Sequence, residues 1–214
     1  KRWLPFDVRR EVIKTKKGEE IKIDFYENEH GILEGDPSEP GFYLVRSWSA
    51  QSGCGAQELN VIHNVMKAKN VREAMKHYRN LDVASFNFLM ADTSGNIGYQ
   101  MSGRLFARPR GVSGLLPLPG WESRYNNRGF VPKTSLPYLY NPAEGRIVTA
   151  NQDLNYLGKS QPINLPMAPY RADRISQLLK KRKKLDTGYM KDIHYDLYSI
   201  QAEKFMKILR PLVS

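Results

Sequence analysis

From Glu11 to Phe25 apolar and polar positions alternate on both sides of KKGEE, Lys16 to Glu20, and end in Ile21, Ile23 and Phe25. That period of two across a glycine turn predicts a β-hairpin half-buried on one face. The run breaks at Glu27 to Gly31, and Phe42 to Arg46 begins another strand after a loop bearing Pro and Gly. The period then changes. Leu59, Ile62 and Met66 recur at helical spacing, and Asn70 with Glu73 forms a capping-box-like start for a second helix carrying Val71, Met75 and Tyr78. Two helices joined near Lys69 follow, with both apolar stripes expected to face a core. Ser85 to Met90 reads as a strand that Asp92 to Asn96 turns back through Ile97, Gly98 and Tyr99.

Between Arg104 and Tyr140 Pro and Gly are too dense for a helix or a central strand. Leu115, Leu116, Leu118, Trp121 and Phe130 are too apolar for a free linker, so the expectation is an ordered loop that wraps the body and walls a pocket. The stretch from Asn141 to Leu179 then combines a turn, an apolar strand (Ile147, Val148) that delivers Asn151 to its end, an irregular Pro-bearing loop, and a helix opening near Arg171. Polar side chains at the ends of stiff elements are good candidates for a site, which singles out Asn151 and Arg174. Thr187 is the expected cap of a helix bearing Met190, Ile193 and Leu197, and a last helix carries Phe205, Ile208 and Leu209.

The 214 residues bury one core or most of one, and a hydrophobic content of 41% excludes general disorder. No apolar run approaches the roughly 20 residues that cross a bilayer. Lys1 to Pro5 holds no signal-peptide h-region. Cys54 is the single cysteine, which excludes an intrachain disulfide and a cysteine-built zinc site. The net charge of +11 suits a polyanion, and KKRKK at Lys180 to Lys184 is the obvious patch. No nucleic-acid motif or aromatic platform accompanies it, so the patch reads as the solvated cationic end of a helix.

Complete catalytic sets are missing. The four histidines, His30, His63, His77 and His194, form no HExxH; no serine sits in GxSxG; and no glycine-rich loop carries a P-loop lysine. His194 has no second ligand one turn on and reads as structural. Residue chemistry alone reaches an α+β domain and stops.

Five segments, in order, carry more. ADTSGNIGYQMSGR (Ala91 to Arg104), LPLPGW (Leu116 to Trp121), GFVP (Gly129 to Pro132), NPAEGRIVTANQ (Asn141 to Gln152) and YRADRI (Tyr170 to Ile175) together resemble the penicillin acylase, or penicillin amidase, family of N-terminal-nucleophile hydrolases. The resemblance implies a portion of an αββα sandwich. It divides the chain into a strand-rich part (1–50), a helical pair (55–82), a hairpin with its wrapping loop (84–150), and an active-site loop with helices (151–214). It also implies amide hydrolysis of N-acylated small molecules by a precursor that cuts itself to expose a serine, whose own α-amino group acts as base. The first residue here is Lys1, so the nucleophile segment and an α-chain are expected from other parts of that precursor.

By position in TANQ, Asn151 matches the family's oxyanion-hole asparagine, and Arg174 in YRADRI matches its active-site arginine; the two are expected to face the nucleophile together. Arg171, one helical turn earlier, is the alternative arginine. No cofactor is implied. Many members hold a structural calcium through acidic groups outside this region, and Asn164 stands roughly where one of those carboxylates falls, with an amide in place of the charge. Gln152 follows Asn151 where a second asparagine is frequent. The resemblance points to a periplasmic or extracellular enzyme without a membrane span. Two other classes remain open, a folded module without catalysis and a basic nucleic-acid-binding domain.

Overall fold

The computed structural model describes residues 5–50 and 53–213, so residues 1–4 of the strand-rich part and Ser214 of the last part lie outside the described residues. β1 (Asp7–Lys14) and β2 (Glu20–Asn28) form the expected hairpin, with Lys14 opposite Glu20 and the chain reversing at Gly18, whose φ is +86°. β3 (Gly31–Glu34) and β4 (Leu44–Arg46) extend it into a four-stranded antiparallel sheet of order β1-β2-β3-β4. Gly31 permits the closest crossing in this sheet: a Cβ there would lie 2.1 Å from the Arg46 carbonyl oxygen.

The expected half-burial of the hairpin is found in β2, where Ile23 to Asn28 are half-buried, and not in β1. Every residue of β1 is exposed, and Ile13 and Ile21 each keep 49% of their surface. Beside the ladder, the two strands are tied laterally by a bidentate pair between Arg10 and Asp24, with N···O distances of 2.6 and 2.7 Å, and by looser pairs of Arg9 with Glu27 and Lys14 with Glu20.

α1 (Gly55–Met66) and α2 (Val71–Tyr78) are the two expected helices. The cap at α2 is reciprocal. Asn70 Oδ1 accepts from the Glu73 N–H at 3.0 Å, and Glu73 Oε2 accepts from the Lys69 N–H at 2.8 Å. α2 buries Val71 and Met75 as its period predicts. α1 does the opposite: Leu59 and Met66 stay 72% and 75% exposed, while Glu58 and Val61 are buried. The orientation follows from Glu58, whose Oε1 accepts the backbone N–H groups of Asp82 (2.6 Å) and Val83 (3.0 Å) and so turns that face inward.

β5 (Asn87–Ala91), β6 (Ile97–Met101) and β7 (Tyr138–Tyr140) form a second antiparallel sheet with β6 in the centre. Asp92 organises the reversal. Its Oδ1 accepts from the Ser94 and Asn96 N–H groups, both at 3.0 Å, and its Oδ2 accepts from the Val71 N–H at 3.2 Å, joining the turn to the first residue of α2. β7 was expected to be loop. It is an edge strand of three residues entered from Pro137, a place where proline costs no ladder bond.

β6 is covered on both faces. Gly98 and Gln100 face α2, where a Cβ on Gly98 would meet Val71 Cγ1 at 2.5 Å, and Arg79 donates to Gln100 Oε1 at 3.3 Å. Tyr99 and Met101 face the other way and form a core with Leu154, Leu105, Leu139, Ile147, Leu157 and Ile163. The segment between the last two strands is held by a bridge between Phe106 and Phe130, whose rings stack at 5.3 Å.

The chain ends in α3 (Tyr170–Lys180), α4 (Thr187–His194) and α5 (Ile200–Val213). The cap of α4 is Asp186 rather than Thr187, because the Asp186 carboxylate accepts from the Tyr189 N–H at 2.7 Å. α4 also stops at His194, leaving the expected helical Leu197 outside it and exposed. Lys180 to Lys184 begin in the last residue of α3 and run past its end, where cations offset the negative end of the helix. Among the described residues no helix is long and apolar enough to cross a membrane.

Candidate functional site

After β7 the chain turns at Asn141 (φ +45°) and at Pro142, whose carbonyl accepts from the Gly145 N–H at 2.9 Å. Ile147 and Val148 do not form the expected strand. Ile147 packs into the Tyr99 core, and the side chain of Gln152 takes the place of a ladder partner. Its Nε2 donates to the Val148 carbonyl (3.0 Å) and its Oε1 accepts from the Ala150 N–H (2.7 Å). A glutamine that registers in the sequence only as a departure from a motif is thus the brace of the loop.

That brace presents Asn151 in the left-handed conformation, φ +67°, which asparagine tolerates better than most residues. Its carbonyl accepts from the Met167 N–H at 2.8 Å. Its side-chain Oδ1 accepts from Arg171 Nη2 at 2.8 Å, and the same nitrogen donates to the Ala150 carbonyl at 2.8 Å. None of the described residues accepts from Asn151 Nδ2. An exposed carboxamide is therefore fixed at its oxygen, with both N–H donors unspent.

The guanidinium that meets Asn151 belongs to Arg171, and Arg174 is engaged elsewhere. Arg174 Nε and Nη2 each donate at 2.7 Å to the two oxygens of Asp196, a parallel pair whose side chains are only 21% and 18% exposed. The guanidinium also lies over the Tyr198 ring, 4.4 Å from its centroid. The hydrogen bond from Arg174 holds the Asp196 carboxyl below the usual carboxylate range, and Asp196 in turn raises Arg174. The specific carboxylate that an arginine at a helix start calls for is Asp196, from the connection between α4 and α5. No local pattern marks Asp196, since it lies beyond two helix ends from its partner. Because Arg171 and Arg174 stand three apart, they occupy adjoining positions along one side of α3.

Between this loop and α3 lies a cavity of about 480 Å³, lined on the loop side by Ile147, Gln152 and Tyr156 and on the helix side by Ala172, Asp173 and Ser176. Tyr99 closes its floor; burial raises its hydroxyl pKa, and that hydroxyl donates to Asn87 Oδ1 at 2.7 Å. The helix end is tied down by Arg146, which donates to the Leu179 carbonyl at 3.1 Å. Asn164 lies apart, its Nδ2 donating to the Ser113 carbonyl at 2.7 Å, and among the described residues no three His, Cys, Asp or Glu side chains cluster as metal ligands would.

The chain as a whole is similar to known proteins. The chain is 32% identical over 97% of its length to "Acyl-homoserine lactone acylase QuiP" of Pseudomonas fluorescens and 29% identical over 91% to "Penicillin acylase 2 proenzyme" of a Pseudomonas species. It spans about a quarter of the length of each, 25% in both cases. Its fold is similar to that of a thermostable penicillin G acylase from Alcaligenes faecalis, with a TM-score of 0.71, 23% identity, 88% of this chain covered and 34% of that one. The penicillin amidase family model matches residues 1–213, and the chain therefore belongs to the penicillin amidase family.

Proposed function

We propose that this chain is the part of an amide hydrolase that supplies the oxyanion donor, Asn151, for a serine nucleophile carried elsewhere in the same precursor. The reaction is the hydrolysis of the amide in an N-acylated small molecule, penicillin-like or related. When the serine hydroxyl adds to the acyl carbonyl, negative charge collects on oxygen, and a donor already aimed at that point stabilises it without having to reorganise. The observation that carries this reading is the state of Asn151, whose oxygen is held and whose amide hydrogens are unspent. Arg174, on α3, is the supporting cation, locked by Asp196 from the connection between α4 and α5. We place the chain within an αββα sandwich whose other layers come from the rest of the precursor, and the exposed faces of β1 and of Leu59 and Met66 on α1 are where those layers sit. Structural calcium, if the complete enzyme binds it, is held outside this chain, and the enzyme works in the periplasm or outside the cell.

Replacing Asn151 by alanine in the complete enzyme tests the reading. The expected loss is about 10²- to 10³-fold in kcat with a small loss of stability, about 1–2 kcal/mol for alanine in the left-handed conformation, and unimpaired turnover removes Asn151 from the site.

A further inference from the structure

We propose that Arg171 is a positioning residue that fixes which end of the Asn151 carboxamide faces the reacting carbonyl, an inference that rests on the oxyanion role given to Asn151 above. A carboxamide is nearly symmetric in shape but opposite in chemistry at its two ends, so a half-turn about its last bond replaces two donors with an acceptor. An oxyanion site cannot tolerate that turn, because an amide oxygen aimed at a developing negative charge repels it. Arg171 prevents it by having only hydrogens to offer. Its Nη2 lies 2.8 Å from Asn151 Oδ1 and 2.8 Å from the Ala150 carbonyl, so its two hydrogens serve the side chain and the backbone at once. If the carboxamide turned over, two N–H donors would face a guanidinium that accepts from nothing, and the pair would repel.

The surroundings make this contact selective. Met167 Sδ lies 3.3 Å from the same nitrogen and is a weak acceptor at best, while the Met167 N–H holds the Asn151 carbonyl. Asn151 is thus anchored at its backbone oxygen, at the carbonyl before it and at its side-chain oxygen, and two of these three anchors are Arg171. The arginine stands in the first turn of α3, where a cation opposes the helix dipole. It is also exposed, so its placement is not a by-product of packing.

The experiment uses the complete, matured enzyme. Arg171→Ala is expected to lower kcat by about 10- to 100-fold with KM held, since misorienting a group by a small distance costs that much. In Asn151→Ala, adding Arg171→Ala is expected to cost nothing further, because an orienting residue has no value once the oriented group is gone. Added guanidinium ion is expected to restore part of the activity of Arg171→Ala and none of that of Asn151→Ala, a readout that a merely structural role would not move. Where Arg171→Ala does not accumulate as mature enzyme, Arg171→Lys and Arg171→Gln decide. Lysine can only donate and keeps most of kcat, whereas glutamine can turn its own oxygen toward Asn151 and loses it. If Asn151→Ala is disabling while Arg171→Ala and Arg171→Gln turn over within about threefold of the unaltered enzyme, the positioning role is overturned and the oxyanion role stands. If Asn151→Ala itself is harmless, the oxyanion reading fails first.

Discussion

Adding one methyl group at Gly98 should loosen the contact on which the second sheet and α2 depend. A Cβ there meets Val71 Cγ1 at 2.5 Å and Met75 Sδ at 2.9 Å, whereas ordinary contact begins near 3.4 Å. Met75 can yield, because its unbranched side chain has other rotamers. Val71 cannot. It is β-branched, buried, and the first residue of a helix whose N–H is held by Asp92 at 3.2 Å. The helix must therefore retreat by roughly 0.9 Å, the difference between 3.4 and 2.5 Å. Overpacking of this kind costs about 1–3 kcal/mol. The ordinary preference for alanine over glycine within a strand returns about 0.5–1 kcal/mol, since the φ of Gly98 is one that alanine adopts. The net expectation for Gly98→Ala is a loss of about 0.5–2 kcal/mol in urea unfolding followed by far-ultraviolet circular dichroism. Val71→Ala removes the obstructing methyl groups, so the double variant should lose at least about 1 kcal/mol less than the two single losses added together. A Gly98→Ala protein as stable as the unaltered one, or strictly additive losses, would refute the packing argument.

Glu58→Ala strands the buried N–H group of Asp82 and the part-buried one of Val83 and should cost about 2–4 kcal/mol in the same unfolding measurement. Glu58→Gln keeps an acceptor oxygen and should cost clearly less. The Asp92 carboxyl is held below the usual range, first by the Asn96 side chain and then by the N–H groups of Val71, Asn96 and Ser94. Asp196 is held down chiefly by Arg174. Groups with a depressed folded pKa contribute stability that is fully present above the ordinary carboxylate range and is lost as pH falls through their lower folded values. Thermal melting from neutral pH down to about pH 2 should therefore show a decline beginning near the ordinary value of about 3.9, and Asp92→Asn should flatten it. An equally steep decline in that variant would assign the acid sensitivity to other groups.

How much of this was legible depends on the range of each interaction. The cap at Asn70 and Glu73 could be read from the sequence because both partners lie within one turn. The hairpin around Gly95 was legible because Asp92 and Asn96 bond to neighbours. The helix bearing Arg171 and Arg174, expected to open near Arg171, begins at Tyr170. The orientation of α1 was not, because it is fixed by Glu58 reaching 24 residues ahead to Asp82, and an apolar stripe says nothing about a buried carboxylate. The segment through Ile147 and Val148 has the composition of a strand, yet its backbone is satisfied by Gln152, a substitution no propensity scale registers. The pairing of arginines with partners was also beyond reach. Arg171 and Arg174 look alike in YRADRI, and only the tertiary position of Asp196 assigns one to the α4–α5 connection and the other to Asn151.

The most direct test of the central claim is the acylation rate of Asn151→Asp in the complete enzyme. Aspartate keeps the shape and the oxygen that Arg171 holds, and replaces the two donors with a negatively charged acceptor oxygen. Single-turnover kinetics should show a loss of at least about 10²-fold with KM close to that of the unaltered enzyme. An acylation rate within about threefold of that of the unaltered enzyme would contradict the account, because the amide hydrogens of Asn151 would then have no part in stabilising the oxyanion.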